Sequence, residues 1–285
     1  MNNLPKVFVT GSTGFIGKSL CDELLKRKFD LVAIPRDMFY RGSNAELSNF
    51  FHEKKASDSS ILIHLAAAGV TSQVDLKESL YVNVVCTDKL LKAAANTGFG
   101  SAIVTGSCFE YGKSGADFLH LPVNAPLQPV GHHAVSKVES FHNLSSGNHN
   151  FKFGLTYARL FQVYGLGENE NRLFPSLIKA ARNGADFQMS DGAQVRDFTH
   201  VSFVILALIY EINLIDDFKI INIASGYGAS VKEFAEHYWK LTGATGKLKL
   251  GELPRKKSDL ASIVGEPTVD EKRKRIPPYN LHSLI

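Results

Sequence analysis

Eight residues near the start of the chain, Thr10-Gly11-Ser12-Thr13-Gly14-Phe15-Ile16-Gly17, have the types and spacing of a phosphate cradle. Gly11 can take the backbone angles of a tight turn. Gly14 lets the main chain come close to a diphosphate with no Cβ in the way, and Gly17 lets a helix pack closely on a strand. Val7-Phe8-Val9 in front reads as that strand, and the amphipathic run Lys18 to Lys28 reads as that helix. A helix starting here offers unbonded N–H groups and a partial positive charge to an anion. Glycine spacing alone is weak evidence. A glycine turn with this strand before it is stronger, and it outweighs an ordinary strand-to-helix turn that binds nothing.

Other groups narrow the chemistry. Cys21, Cys86 and Cys108 are far apart, match no metal or redox spacing, and read as free thiols in a reducing compartment. His132-His133 is a poor metal pair, because adjacent helical residues point in different directions, so no metal is expected. The chain has 285 residues, 44% hydrophobic and 21% charged, enough for one large or two small domains with a substantial core. Its formal net charge is +4, with basic clusters at Arg255-Lys256-Lys257 and Lys272-Arg273-Lys274-Arg275. Without interleaved aromatics or a binding motif these read as solvated surface, or as attraction for anionic small molecules, and not as a nucleic-acid site. The N-terminus enters a strand with no charged-then-apolar leader. Val201 to Tyr210 is apolar but far short of the ~20 residues that span a bilayer. The expected location is the cytoplasm.

Stepping along the chain, Phe29 to Ile34, Ile61 to Leu65, Ala102 to Thr105, Phe151 to Leu160 and Lys219 to Ile223 read as further strands. Helical stretches run over Ala45–Glu53, Ser79–Asn96, His133–Leu144, Leu173–Arg182, Val201–Ile212 and Val231–Leu241. In Ser79–Asn96 the spacing puts Leu80, Val84, Thr87, Leu90 and Leu91 on one side. Strands alternating with helices imply an α/β fold with a parallel sheet covered on both faces, and a ligand crevice beyond the strands' carboxyl ends. Past Gly165 the pattern loosens, and the Pro- and Lys-rich remainder after Leu241 reads as irregular. The second half is expected to form a smaller lobe that caps the crevice while lending an element or two to the main sheet.

The landmarks taken together resemble the extended short-chain dehydrogenases/reductases that act on nucleotide-sugars. They occur in that family's order over nearly the whole chain: TGSTGFIG, then Ile63-His64-Leu65-Ala66-Ala67, then Asn83 and Thr87. Thr105-Gly106-Ser107-Cys108-Phe109-Glu110-Tyr111-Gly112, Ser136-Lys137 and Arg159-Leu160-Phe161-Gln162-Val163-Tyr164-Gly165 follow. Arg196-Asp197-Phe198-Thr199-His200-Val201 and Asn222-Ile223-Ala224-Ser225-Gly226 complete the series. The resemblance implies a Rossmann-type doubly wound parallel sheet with a smaller C-terminal substrate-binding lobe. Residues 1–164 would form the dinucleotide-binding domain, also receiving elements from about 196–224, and 165–285 the interleaved lobe. It implies nicotinamide-dinucleotide contacts at Gly11, Thr13, Gly14, Phe15, Ile16, Gly17, Arg36, Leu65, Ala66, Ala67 and Lys137. NAD-binding members place a carboxylate at the end of the second strand. Here that place holds Ile34-Pro35-Arg36, with Asp37 one step beyond, and the planar fork of Arg36 suits the extra phosphate of NADP. NAD stays open as the alternative.

The family moves a proton with Ser or Thr and Tyr-x-x-x-Lys while nicotinamide moves a hydride. By resemblance Ser107 is the hydroxyl that polarises the substrate oxygen, and Lys137 holds the nicotinamide ribose. The Tyr position, four before Lys137, is His133. A phenol titrates near ~10 and needs a neighbouring cation to release its proton, whereas imidazole titrates near ~6.5 and needs none. Three readings stay open: His133 acts as the acid/base, directly or through water; a neighbour such as His132, Ser107 or Cys108 replaces it; or the chain binds ligands and turns over slowly. Arg196 matches an Arg that pairs with the substrate's diphosphate, and Arg172 lies where the family lines the nucleotide. Arg255 matches another late Arg of that pocket, and Gln162 stands where many members have Asn beside the sugar-diphosphate. His64, at a buried strand end, reads as a hydrogen-bonded core residue. The short segment between Arg36 and Ile61 lacks the family's acidic adenine contact, and a closing helix after Pro277-Pro278 is not expected. The implied activity is NADP-dependent reduction of a 4-keto nucleotide-sugar. C4 epimerisation is the alternative, dehydration through Glu110 ranks third, and a cofactor-binding regulator or scaffold stands outside the enzymes. A homodimer packed through Ser79–Asn96 and His133–Leu144 is expected, with no nucleic-acid or membrane partner.

Overall fold

The computed structural model describes residues 4–70, 74–146, 151–212, 218–255 and 259–268. The chain opens with β1 (Lys6–Thr10), α1 (Phe15–Lys26), β2 (Asp30–Ala33), α2 (Arg36–Arg41), α3 (Asn44–Glu53) and β3 (Ile61–His64). A helical segment follows in three parts: α4 (Leu76–Leu80), a π-helical turn (Tyr81–Cys86) and α5 (Thr87–Asn96). Then come β4 (Ser101–Ser107), α6 (His132–Ser145) and β5 (Gly154–Leu160). The second half carries β6 (Gln162–Tyr164), α7 (Leu173–Arg182), β7 (Phe187–Met189), β8 (Val195–His200), α8 (Val201–Glu211) and β9 (Phe218–Ile223). It ends, among the described residues, with β10 (Gly228–Ser230), α9 (Val231–Leu241), β11 (Leu248–Leu250) and β12 (Ser262–Ile263).

Six strands form one sheet in the order β2-β1-β3-β4-β5-β9, and β2, β1, β3 and β4 pair in parallel register. Val7, Phe8 and Val9 of β1 and every residue of β3 and β4 are buried, as a sheet covered on both faces requires. The strand order reverses between β1 and β3, so the carboxyl ends of these two strands, at Thr10 and His64, flank the topological switch point. That is where the glycine turn leaves β1. Helix α1 follows from its spacing: Gly17, Leu20 and Leu24 fall on its buried side. Burying each leucine contributes about 1.5–3 kcal/mol. Helix α3 starts at a reciprocal cap, where Ser43 Oγ accepts from Glu46 N–H at 3.2 Å and Glu46 Oε2 accepts from Ser43 N–H at 2.7 Å. Under the sheet, Phe8, Phe51 and Phe99 pack as a mutual triad with centroids 4.9–5.4 Å apart.

The chain divides into two interleaved compact units. One is drawn from Met1–Glu110, Pro129–Arg159 and Ile205–Ile221, the other from Tyr111–Gln128, Leu160–Val204 and Asn222–Ile285. The second unit has its own sheet: β8 pairs antiparallel with β10 and parallel with β12 and β6, while β7 and β11 form a separate parallel pair. Its core centres on Tyr164, Leu177, Phe198, Phe234 and Tyr238, with the Phe198 and Phe234 rings stacked 3.9 Å apart.

Several sequence expectations change. The loop after Leu144 contributes less strand than its aromatics suggested, because β5 starts at Gly154. Ser79–Asn96 is not one regular α-helix. The π turn inserts a residue, so Ser79, Val82, Asn83, Cys86, Thr87, Leu90 and Leu91 turn inward while Leu80 and Val84 are only half-buried. A short helix, α2, begins at Arg36, in a stretch for which no element was expected. The tail past Leu241 is not wholly irregular: β11 and β12 are three- and two-residue strands, too short for alternation to show. Tyr111–Gln128 belongs to the second unit, and of 196–224 only Ile205–Ile221 joins the first. The basic residues 256–257 and 272–275 and the Pro277-Pro278 pair lie outside the described residues.

Candidate active site

The turn from β1 to α1 is closed by Gly14 N–H to Gly11 C=O at 3.0 Å, with Gly11 at φ +69°. A Cβ on Gly11 would sit 2.8 Å from Ala66 N, so the loop leaving β3 can lie against the turn only because residue 11 is glycine. Gly17 is needed for a different reason than its position suggested. A Cβ there would meet Gly11 O at 2.0 Å, so it protects the turn itself and not the packing of helix on strand. At Gly14 a Cβ would touch only Gly11 O, at 3.3 Å, and its other sides face open space. Helix α1 has Gly14 as its N-cap, no side-chain cap and no acidic residue in its first turn. The first-turn N–H groups, which no helical carbonyl can serve, are therefore offered outward with the positive end of the helix dipole. Thr13 is exposed and Phe15 and Ile16 are half-buried beside it. These residues fit a dinucleotide's diphosphate.

The loop after β3 is fastened to β1. Leu65 N–H donates to Thr10 C=O at 3.4 Å and Ala66 N–H to Thr10 Oγ1 at 3.3 Å, with Ala67 exposed next to them. His64 holds the strands below. Its Nδ1 lies 2.6 Å from Thr10 Oγ1, its Nε2 lies 2.9 Å from Thr87 Oγ1, and its carbonyl accepts from Thr105 Oγ1 at 2.9 Å. Burial, with the nearby Lys137 charge second, pushes its pKa down to about 3. His64 is a neutral core residue, as its position in the sequence implied. Arg36 stands exposed at the start of α2, one residue past Pro35.

Ser107 ends β4, where its Oγ accepts from Phe109 N–H at 3.3 Å. Lys137 is buried on α6 and its Nζ donates to Thr105 C=O at 2.7 Å. Burial brings the Lys137 pKa down to about 8, while Glu110 pulls the other way. The ammonium therefore persists at neutral pH. Glu110 is fully buried: Oε1 accepts from Ser107 N–H at 2.7 Å and from Tyr157 OH at 2.9 Å, and Oε2 from Arg159 Nε at 2.6 Å. The Arg159 guanidinium lies 4.5 Å over the Phe141 ring. A carboxylate so engaged shapes the turn that carries Ser107 and does not act on a substrate, which removes the basis for dehydration through Glu110. His133, in the first turn of α6, places Nδ1 2.9 Å from Ala68 C=O. His132, exposed, reaches Val74 C=O at 3.3 Å. The first unit thus gathers the hydroxyl, the imidazole and the ammonium on β4 and α6, beside the loops that follow β1 and β3.

The second unit holds the residues expected on the substrate, and each of the three arginines among them is matched by a carboxylate. Arg196 on β8 donates through Nη1 to Val195 C=O and Leu260 C=O, both at 2.8 Å, and through Nη2 to Asp259 at 2.9 Å. Arg172, the N-cap of α7, donates from Nε to Glu168 at 3.1 Å. Arg255, exposed, donates to Asp191 at 2.5 Å. Gln162 lies half-buried on β6, opposite Phe198 of β8. Arg172, Arg196 and Arg255 are thus each paired with a carboxylate. Asp197, next to Arg196, drew no role from the sequence. Buried, it accepts from Ser225 N–H and Oγ–H, Gly226 N–H, Gly265 N–H and Thr199 Oγ–H, and so ties β8 to two loops.

A glycine turn at the switch point of a parallel sheet, with serine and lysine on the neighbouring strand and helix, defines a dinucleotide-binding α/β enzyme of the short-chain dehydrogenase type. Comparison with known proteins makes this specific. The profile of the NAD dependent epimerase/dehydratase family matches residues 7–224, and the chain belongs to that family. The chain is 26% identical over 269 residues to GDP-6-deoxy-D-talose 4-dehydrogenase of Aggregatibacter actinomycetemcomitans, which covers 92% of this chain and 89% of that one. It is 26% identical over 290 residues to UDP-glucose 4-epimerase of Corynebacterium glutamicum, at 91% and 86% coverage. Among solved structures, MoeE5 in complex with UDP-glucuronic acid and NAD superposes with a TM-score of 0.78 at 26% identity, covering 95% and 92%. UDP-glucose 4-epimerase from Thermotoga maritima shares the fold, with a TM-score of 0.82 at 18% identity and 94% and 91% coverage.

Proposed function

We propose that this enzyme carries out a hydride-transfer reaction at C4 of a nucleotide-diphosphate sugar, as an NADP-dependent reductase of the 4-keto form. The observation that carries the reading is the site in the first unit: a dinucleotide cradle beside Ser107, Lys137 and a histidine where the family has its proton-moving tyrosine. The two relatives compared above are named for a 4-dehydrogenase and a 4-epimerase, which supports chemistry at that carbon. Bound, the dinucleotide supplies and accepts the hydride. The chain does the rest. Ser107 donates a hydrogen bond to the carbonyl oxygen, His133 delivers the proton to that oxygen, and the Lys137 ammonium holds the ribose. Gln162, Arg172, Arg196 and Arg255 take the sugar-diphosphate, which requires the arginines to exchange or share their carboxylate partners. The exposed Arg36 favours NADP, with NAD as the competing coenzyme.

C4 epimerisation is a second reading, favoured by the epimerase relatives; it keeps the coenzyme bound through turnover. The discriminating experiment mixes the purified chain with NADPH and a panel of nucleotide 4-keto-sugars, and separately with NAD and the 4-hydroxy sugars. Net coenzyme oxidation is expected, and it falls about 100-fold or more in His133→Ala. Isomerisation without net coenzyme turnover would replace reduction by epimerisation. Equal rates in native chain and His133→Ala would remove His133 from the chemistry. Activity only in His133→Tyr would make the native chain a cofactor-binding member with weak catalysis.

A further inference from the structure

We infer that the Ala68 carbonyl, held in place by Asn83, fixes His133 in the tautomer with hydrogen on Nδ1, so that Nε2 is the nitrogen whose proton comes and goes. The inference rests on the reading of His133 as the acid/base.

A carbonyl oxygen can only accept. At 2.9 Å from it, Nδ1 of His133 must be the donor, whether the ring is neutral or charged. The same carbonyl is gripped a second time. Asn83 Oδ1 accepts from Ala68 N–H at 2.9 Å, and Asn83 Nδ2 donates to Ala68 C=O at 3.2 Å. Because one of those partners can only donate and the other only accept, the amide has a single permitted orientation. Its second hydrogen goes to Ser136 Oγ at 2.8 Å, which in turn donates to His133 C=O at 2.9 Å. One buried amide therefore fixes both the backbone turn that carries His133 and the carbonyl that its ring bonds. Asn83 can do this because it lies in the π turn, where the inserted residue brings Val82 and Asn83 inward together. Gly69 completes the arrangement. At φ +83°, a Cβ there would lie 3.3 Å from His133 Cβ.

Two nitrogens let the ring do two jobs, which a phenol with one oxygen cannot. Nδ1–H stays on the scaffold. In reduction the imidazolium loses its Nε2 proton to the substrate oxygen as hydride reaches the carbonyl carbon, and the neutral Nδ1–H tautomer remains. In the reverse direction Nε2 takes the hydroxyl proton. Asn83 and the Ala68 carbonyl are positioning groups; neither touches the substrate.

The test is a long-range 1H–15N spectrum of the full-length protein labelled with 15N-histidine, with His133 assigned by its loss in His133→Gln. Above the ring's titration the expected pattern is a protonated Nδ1 and an unprotonated Nε2. A neutral ring protonated on Nε2 overturns the inference. Asn83→Asp keeps the shape and the acceptor for Ala68 N–H but sets an oxygen against Ala68 C=O. A mixed tautomer signal is expected there, with kcat reduced about tenfold and KM for the sugar within twofold. A variant with the native tautomer and unchanged kcat would show that Asn83 is structural only. If the tautomer is as inferred but His133→Ala retains full activity, the acid/base reading fails while the assignment of the ring stands.

Discussion

Two buried ionisable sites in the first unit bear on stability in different ways, one through an ion pair and one through pH. The Glu110–Arg159 pair lies out of water, with Glu110 accepting from Ser107 N–H and Tyr157 OH as well. Replacing such a pair whole by well-packed apolar groups can be nearly neutral, whereas removing one partner leaves the other charge buried and uncompensated. Arg159→Met is therefore expected to lower the unfolding free energy by about 3–5 kcal/mol in a urea titration. Arg159→Met with Glu110→Leu should recover part of that loss, and a double variant as unstable as the sum of the singles would contradict the pairing. His64 acts through its neutral form. Its pKa is about 3 in the fold against 6.5 when unfolded, so below 6.5 the unfolded chain binds a proton that the folded chain refuses. Stability from this group is complete above pH 6.5 and drains away as the pH falls toward 3, at no more than about 1.4 kcal/mol per unit. Urea midpoints between pH 7 and 5 should fall more steeply for the native chain than for His64→Asn; parallel slopes would mean that His64 is not buried neutral.

At the scale of elements, the strand-turn-helix at the start was the most legible part of the sequence, because the glycines and the β-branched run sit in one continuous stretch. The structure separates what the glycines do. Gly17 faces the Gly11 carbonyl, so Gly17→Ala must displace backbone and is expected to cost about 1–3 kcal/mol of stability. Gly14 has extended backbone and open space on the ligand side, so Gly14→Ala should stay within about 0.5 kcal/mol of the native chain. Its expected penalty is instead in coenzyme affinity, at least tenfold weaker in a fluorescence titration with NADPH. Equal affinity would place the diphosphate elsewhere. Helices α7 and α9 kept the bounds that their periodicity gave, and α9 begins at a Ser230–Glu233 capping box. The Ser79–Asn96 stretch did not: a π turn changes the period midway, and a search for a 3.6-residue repeat averages over it. Ala68 was invisible for a plainer reason. Its contribution to the site is a backbone carbonyl, which no residue type announces. The carboxylate partners of Arg172, Arg196 and Arg255 show mixed legibility, since Glu168 lies four residues from its arginine while Asp259 and Asp191 lie over sixty residues away.

For the molecule as a whole, the doubly wound sheet was legible because strands and helices alternate with short connections, and an interleaved second lobe was expected, while the part played by Tyr111–Gln128 was not. Tyr111–Gln128 leaves β4 to join the second unit through long-range bonds such as Tyr111 OH to Asn222 Oδ1 at 2.7 Å, and a local pattern carries no sign of them. Association is a further property at this scale. Tyr81 and Val85 lie four residues apart on the π turn and are 42% and 53% exposed, and Leu76 at the start of α4 is exposed as well, so this helical segment leaves large apolar side chains in water. We propose that this helix and α6 meet the same elements of a second copy. A stable interface of this kind buries on the order of 1,200–2,000 Å² in total, and a charge at its centre is not tolerated. Val85→Glu combined with Tyr81→Glu is therefore expected to convert a species of twice the chain mass into one of the chain mass, measured by light scattering on a sizing column. Coenzyme affinity should be unchanged within about twofold, because neither residue belongs to the proposed cradle. A native chain that already elutes as a monomer at micromolar concentration would rule the dimer out, and the exposed apolar run would then need another partner.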